Sequence, residues 1–241
     1  NPEAAEAFEL GLKLAEEVDA DLVLATDPDA DRLGVRVKDK DGVYHDLTGN
    51  MSGCLLADYE IGQRKETEGL PEDGALIKTI VTTNMADAIA RAYGVKVIEV
   101  LTGFKWIGQQ ILGFERKKKG TYLFGFEESY GCLIGTHARD KDGAVSALLL
   151  CEMAAECRKQ GKTLINRLNE LYEEYGYYRD AQDSFTLKGK DGLDRIRGMM
   201  SALRQGASPF AGTAQVLDYQ GQVQAEAGFG LLPKANVLKY V

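Results

Sequence analysis

Between about residues 49 and 172, short apolar runs of strand length alternate with stretches of helical spacing, and this rhythm narrows the possible folds more than any other feature of the chain. The runs are Ala75 to Val81, Val95 to Val100 and Thr121 to Phe126. The helical stretches are Asn50 to about Arg64, Asn84 to Tyr93, part of Gly103 to Lys119, and Gly143 to Gln160, where Ala and Leu favour a buried helix. Strands that alternate with helices pair in a largely parallel sheet covered on both faces. The expectation is an α/β protein: one complete three-layer α/β domain with a mostly parallel mixed sheet, flanked by partial α/β and α+β domains.

The flanks differ in texture. Ala4 to Val18 has helical spacing, with Phe8, Leu12, Leu14 and Ala15 as inward candidates, and Leu22 to Ala25 is a short buried strand. Leu33 to Lys38 and Val43 to Leu47 pair as a hairpin around Asp39 to Gly42. Past Tyr172, Tyr177 to Leu187 reads as an extended strand, Gly192 to Gln205 as a helix and Ala214 to Val223 as a strand with a Gly-rich return; Asn236 to Val241 has strand-type residues. The expected divisions are therefore 1–48, 49–172 and 173–241.

With 44% hydrophobic residues, 241 residues can fill a core. The net charge of −8 and the scattered basic residues argue against nucleic acid as a partner. No apolar run approaches the roughly 20 residues that span a bilayer, and the chain opens Asn1-Pro2-Glu3 rather than with a basic stretch and an apolar signal core. Cys54, Cys132, Cys151 and Cys157 lack paired spacing, which suits a reducing compartment, by default the cytoplasm. The chain does not begin with Met, as a processed chain or a piece of a longer one would not.

The strongest chemical signal is Asp27-Pro28-Asp29-Ala30-Asp31-Arg32, directly after a strand. In an extended loop, residues at i, i+2 and i+4 point the same way, so Asp27, Asp29 and Asp31 converge and repel unless a cation sits between them. Hard oxygen donors without His or Cys favour Mg²⁺, which keeps positions open for a phosphate oxygen that Arg32 could also grip. A solvated acidic turn is the plain alternative. An EF-hand is a poorer fit, because counting from Asp27 the sixth position is Arg32 instead of Gly and the twelfth Lys38 instead of Glu. A phosphatase with an aspartyl nucleophile also places Asp-x-Asp after a strand, though its third position is usually not Asp.

A second loop, Gly125-Phe126-Glu127-Glu128-Ser129-Tyr130-Gly131, sets acceptors and a hydroxyl between glycines, the mixture that polyol recognition needs. Glu-Glu-Ser could instead cap the next helix. Thr102-Gly103-Phe104-Lys105 and His137 to Gly143 fall at the same sheet edge, where ligands of open α/β sheets gather, and Lys105, Arg139 and Lys141 could supply positive charge. The plain reading of any one of them is a solvated surface charge; His137 is ambiguous, and His45 reads as exposed.

Together these loops resemble the α-D-phosphohexomutases of the phosphoglucomutase and phosphomannomutase branch. Asp27 to Arg32 resembles that family's metal loop, Thr102 to Lys105 its third-domain substrate loop, and Gly125 to Gly131 its sugar-specificity loop; Lys141 matches a substrate-contacting lysine. Ala30 stands where many members have Gly. The resemblance implies a phosphate transfer between the 1- and 6-hydroxyls of a hexose through a phosphoserine and a bisphosphate, with glucose 1,6-bisphosphate as activator. It implies one Mg²⁺ held by Asp27, Asp29 and Asp31, catalytic roles for Arg32 and Lys141, and substrate contacts from Thr102, Gly103, Lys105, Glu127, Ser129 and Lys141. Residues 1–48 would be the end of the family's domain two, 49–172 its domain three and 173–241 the start of domain four. No Thr-Ala-Ser-His-Asn-Pro type loop and no Arg-Pro-Ser-Gly-Thr-Glu type loop occurs in the 241 residues. The partners implied are a hexose phosphate and the remaining domains, and this piece alone is expected to be inactive. A non-catalytic sugar-phosphate or metal-binding module is the third reading.

Overall fold

The computed structural model describes residues 1–206, 208–221 and 232–241. They form two compact units, Asn1–Arg179 and Asp180–Val241.

The first unit opens with a 3₁₀ turn, Ala5–Phe8, and helix α1, Glu9–Val18. Phe8 and Ala15 are buried as expected, but Leu14 is 58% exposed. Strands β1 (Leu22–Thr26), β2 (Leu33–Lys38) and β3 (Tyr44–Leu47) form an antiparallel sheet in that order, with Thr26 opposite Leu33. β1 is only half-buried, because it lies at the sheet's edge, whereas β2 in the centre is buried from Leu33 to Val37.

Helix α2, Gly49–Thr67, begins earlier than Asn50. Its cap is Thr48, whose hydroxyl accepts from the Met51 amide at 3.3 Å. Then follow β4 (Gly74–Thr79), α3 (Met85–Tyr93), β5 (Lys96–Val100), α4 (Lys105–Lys117), β6 (Thr121–Glu127), β7 (Gly131–Ile134), α5 (Gly143–Lys159) and α6 (Leu164–Tyr175). The second sheet has the order β5-β4-β6-β7, with β4 parallel to both β5 and β6 and β7 antiparallel at the edge. β4 is buried along its whole length and β6 beyond its first residue, as central parallel strands covered on both faces should be. The four-residue β7 and the helix α6, capped by a reciprocal Thr163–Asn166 box, are elements the spacing argument passes over.

One continuous core joins the two sheets through α2, α3, α5 and α6. It runs from Val35, Val37 and Leu47 through Leu55 and Ile61 to Leu76, Phe124 and Phe126, and on to Leu150 and Leu168. Each fully buried Leu, Ile or Phe of this set contributes about 1.5–3 kcal/mol relative to exposure.

In the second unit, α7 (Gly189–Gln205) stands beside an antiparallel pair, β8 (Val216–Asp218) and β9 (Leu238–Tyr240). Arg204 reaches Asp218 at 3.1 Å, and the Tyr240 hydroxyl donates to the Leu203 carbonyl at 3.4 Å. Tyr177 to Leu187 is not the strand expected: no residue from 177 to 187 is in a helix or strand, and Tyr177 and Phe185 are 74% and 80% exposed. Strand-type residues form a strand only where a neighbouring strand supplies a ladder. Of the predicted strand Ala214 to Val223, three residues are in β8, while Gln222, Val223 and the Gly-rich return lie outside the described residues. No helix among the described residues is long and apolar enough to cross a membrane.

Candidate metal and sugar site

The pairing of β1 with β2 closes a six-residue loop, Asp27 to Arg32, at one end of the first sheet. The Ala30 amide donates to the Asp27 carbonyl at 3.0 Å, and Ala30 turns the chain with φ +56°, a left-handed conformation that glycine adopts more cheaply. This turn gathers the three carboxylates: one oxygen each from Asp27, Asp29 and Asp31 lies within 4.8 Å of the others. Among the described residues no other set of three His, Cys, Asp or Glu side chains converges this way. Burial pushes the Asp27 carboxyl up, but the Arg32 amide, which donates to its Oδ1 at 3.1 Å, and the contact with Asp31 outweigh this and hold it below the ordinary aspartate value. An all-oxygen set of negative donors with Asp29 open to solvent fits Mg²⁺ chemically.

Two cations already face this charge. Lys141 Nζ lies 2.7 Å from Asp31 Oδ2, and Arg32 Nε lies 3.7 Å from Asp27 and 3.8 Å from Asp31. Arg32 is tied on its other side to Glu3 at 3.2 Å, and its Nε is buried without a hydrogen-bond partner.

The second loop is tighter than its sequence suggests. β6 continues through Glu127, so the turn is Glu128 to Tyr130 and Gly131 opens β7. The residues therefore cap no helix, since a strand follows. Glu127 is 6% exposed, and its Oε1 accepts from the Gly103 amide at 2.9 Å. Burial raises its carboxyl above the ordinary glutamate value, with the Lys141 charge acting the other way. Glu128 points elsewhere: its Oε2 accepts from the hydroxyls of Thr79 at 2.9 Å and Thr82 at 3.3 Å. Ser129 is half-buried on the turn.

These loops are joined through backbone. The Leu33 amide donates to the Tyr130 carbonyl at 2.9 Å, linking the exit of the acidic loop to the second turn. The Gly143 amide donates to the Ala30 carbonyl at 2.9 Å, so the first residue of α5 holds the acidic loop from beneath; a Cβ at Gly143 would lie 2.7 Å from that oxygen. Asp142 caps α5, accepting from Ala144 at 2.9 Å and Val145 at 3.0 Å, and so fixes Lys141, the residue directly before the cap. The Lys141 amine also meets Asp140 at 3.1 Å and stands 5.5 Å from the centre of the Phe104 ring. Burial pulls its pKa down, but the Asp31 and Asp140 carboxylates more than offset this, so it stays charged.

The remaining predicted residues are placed less centrally. Thr102 is exposed, and Gly103 has φ +105°. Lys105 is the first residue of α4, exposed, with its amine 5.0 Å from the Trp106 ring centre. Arg139 pairs with Glu115, and His137 Nε2 lies 2.9 Å from Asp142. Sequence reasoning did not pick out Phe104, Asp142 or the Thr79–Thr82 pair. Only Asp142 had a local signal, an Asp immediately before a helical run.

Comparison with known proteins decides the lineage. The family model described as phosphoglucomutase/phosphomannomutase, alpha/beta/alpha domain III, matches residues 48–175, and that for domain II matches residues 1–42. The chain belongs to the phosphoglucomutase/phosphomannomutase family. A phosphoglucomutase of Staphylococcus epidermidis is 35% identical over 99% of this chain and 44% of its own length; one from Staphylococcus aureus is 38% identical over 85% and 36%. The chain thus spans less than half the length of these relatives. Two solved structures share the fold: parafusin, a phosphoglucomutase from Paramecium, in its open form (TM-score 0.66, 18% identity, 98% of this chain and 39% of that one), and a phosphoglucomutase/phosphomannomutase family protein from Burkholderia thailandensis (TM-score 0.60, 20% identity, 90% and 40%).

Proposed function

We propose that this chain supplies the metal loop and the sugar loop of a phosphohexomutase, which moves phosphate between the 1- and 6-hydroxyls of a hexose. The observation that carries the reading is Lys141, which pairs with Asp31 of the acidic cluster at 2.7 Å and whose charge also acts on the Glu127 carboxylate of the second loop. A metal site and a polyol site so joined suit a substrate that carries both phosphate and sugar hydroxyls.

Asp27, Asp29 and Asp31 would hold the Mg²⁺, with Lys141 and Arg32 balancing their charge until it binds. When bound, the Mg²⁺ supplies positive charge that lowers the cost of bringing phosphate oxygens to this end of the sheet. Arg32 orients a phosphate by its guanidinium. Glu127, fixed by the Gly103 amide, accepts from sugar hydroxyls, and Ser129 completes the set; Thr102 and Lys105 line the approach. Lys141 neutralises the phosphate that lies between the two loops. Glu127 is the last residue of β6 and Lys141 lies directly before the Asp142 cap of α5, so the acceptor and the cation that meet the hexose are both held next to regular elements. The phosphoserine, the second phosphate grip and the glucose 1,6-bisphosphate activator belong in this reading to the remainder of the protein, and its setting is the cytoplasm, which its four cysteines, none in a disulfide, suit.

The test is a mutase assay on the full-length protein, coupled to glucose-6-phosphate dehydrogenase. Glucose 1-phosphate should be converted with Mg²⁺ and a bisphosphate activator, and Asp29→Asn should lower the rate by about 10²-fold or more. Release of inorganic phosphate instead of glucose 6-phosphate would replace this reading with the aspartyl phosphatase; binding without turnover would leave a sugar-phosphate module.

A further inference from the structure

The second loop carries two adjacent glutamates, and the structure treats them differently. Glu127 accepts from the Gly103 amide, while Glu128 is engaged by the turn between β4 and α3 through two hydroxyls that also contact each other at 2.8 Å. That turn is itself unusually well anchored. Lys78, on the central strand and fully buried, donates to the carbonyls of Thr82 and Thr83 at 3.3 Å each and to Asn84 Oδ1 at 3.0 Å, with Asp87 2.6 Å away to balance its charge. The side chain of Asn50 accepts from the Thr83 amide at 3.2 Å, tying the same turn to the start of α2. At that helix start, Gly49 lies so close beneath the Glu128 carbonyl that a Cβ would come within 2.0 Å of its oxygen. The backbone of Glu128 is thus held from below by α2 and its carboxylate from the side by β4.

A buried lysine is costly unless its charge and all its donors are matched, and here the donors are matched by the turn that holds Glu128 and the charge by Asp87 on α3. We propose that Glu128 is a positioning residue: anchored by Thr79 and Thr82 on a turn braced by Lys78, it fixes the direction of Glu127 and leaves that residue alone to meet the sugar. The proposal rests on the sugar-site reading above for its functional consequence. The geometry it invokes, Glu127 on Gly103, is independent of that reading.

The experiment combines two readouts on Thr79→Val, Glu128→Ala, Glu128→Gln and the double variant Thr79→Val/Glu128→Ala. In the full-length protein, Thr79→Val and Glu128→Ala should each raise KM for glucose 1-phosphate about tenfold while kcat changes less, the double variant should be no worse than Glu128→Ala, and Glu128→Gln, whose amide oxygen still accepts from both hydroxyls, should stay near the parent. In the 241-residue chain, amide hydrogen exchange at Gly103 and across Gly125 to Gly131 should speed up in the first two variants and not in Glu128→Gln, with Mg²⁺ binding unchanged in all. Additive KM effects, or a large effect of Glu128→Ala beside none for Thr79→Val, would show that Glu128 touches the sugar itself and overturn the proposal. Unchanged exchange at Gly103 would overturn it as well. If the parent protein turned over no hexose phosphate, the mutase reading would fall, and the exchange data would still decide whether Glu128 positions Glu127.

Discussion

Lys141 ties together most of what individual residues say about this protein. It is 2.7 Å from a carboxylate that a metal ion would claim, so the lysine and the metal compete for Asp31. Lys141→Met should therefore tighten Mg²⁺ binding by about three- to tenfold in titration calorimetry, the scale of a partly exposed ion pair, while weakening hexose phosphate binding. Weaker Mg²⁺ binding in this variant would show that the lysine organises the cluster instead of competing for it. Glu127 gives a pH prediction. Burial holds its carboxyl above 4.5, so between that value and its folded pKa the native chain binds more protons than the unfolded one. Its contribution to stability thus falls as pH rises through this window and stays lost above it. Thermal melts should show Glu127→Gln gaining on the parent from pH 4.5 to pH 7; a difference independent of pH would mean the group is not perturbed. The acidic cluster was legible in the sequence because alternate positions in an extended loop share a face. Glu128, Lys78 and Thr79 were not, because their partners lie on other strands and nothing local marks them.

Among the elements, the order of strand and helix through the parallel sheet could be read directly, since each apolar run and each helical stretch repeats its own period. β7 was hidden because four residues behind a loop carry too little pattern, and Tyr177 to Leu187 forms no strand because strand-type residues need a pairing partner. The start of α2 was read at Asn50, yet the cap is Thr48, which frees Asn50 to hold Thr83. That early start brings Gly49 under the turn from Glu128 to Tyr130. Gly49→Ala should destabilise the first unit by about 1–3 kcal/mol, because the new methyl meets backbone that cannot yield. Gly198→Ala in α7, with open space around it, should stabilise its own unit by up to about 1 kcal/mol. Chemical denaturation of the two variants checks both; a neutral Gly49→Ala would show that the helix start can slide away from Glu128.

For the molecule as a whole, the acidic loop and the Glu127 loop lie in one compact unit, and no serine loop of the phosphate-donating type occurs in the 241 residues. A transfer that passes through a phosphoserine has no nucleophile here. The chain by itself should give no turnover above the blank in the coupled dehydrogenase assay, even with Mg²⁺ and glucose 1,6-bisphosphate. Turnover lost on Asp27→Asn would contradict this and point to another phosphate carrier within these residues. The central claim is that the acidic loop and the Glu127 loop act as one site, and calorimetric titration of the 241-residue chain with glucose 1-phosphate tests it most directly. Binding should require Mg²⁺ and be lost in both Asp29→Asn and Glu127→Ala, with the Mg²⁺ titration itself intact in Glu127→Ala. Binding of equal affinity in Asp29→Asn, or none in the parent chain at saturating Mg²⁺, would contradict it.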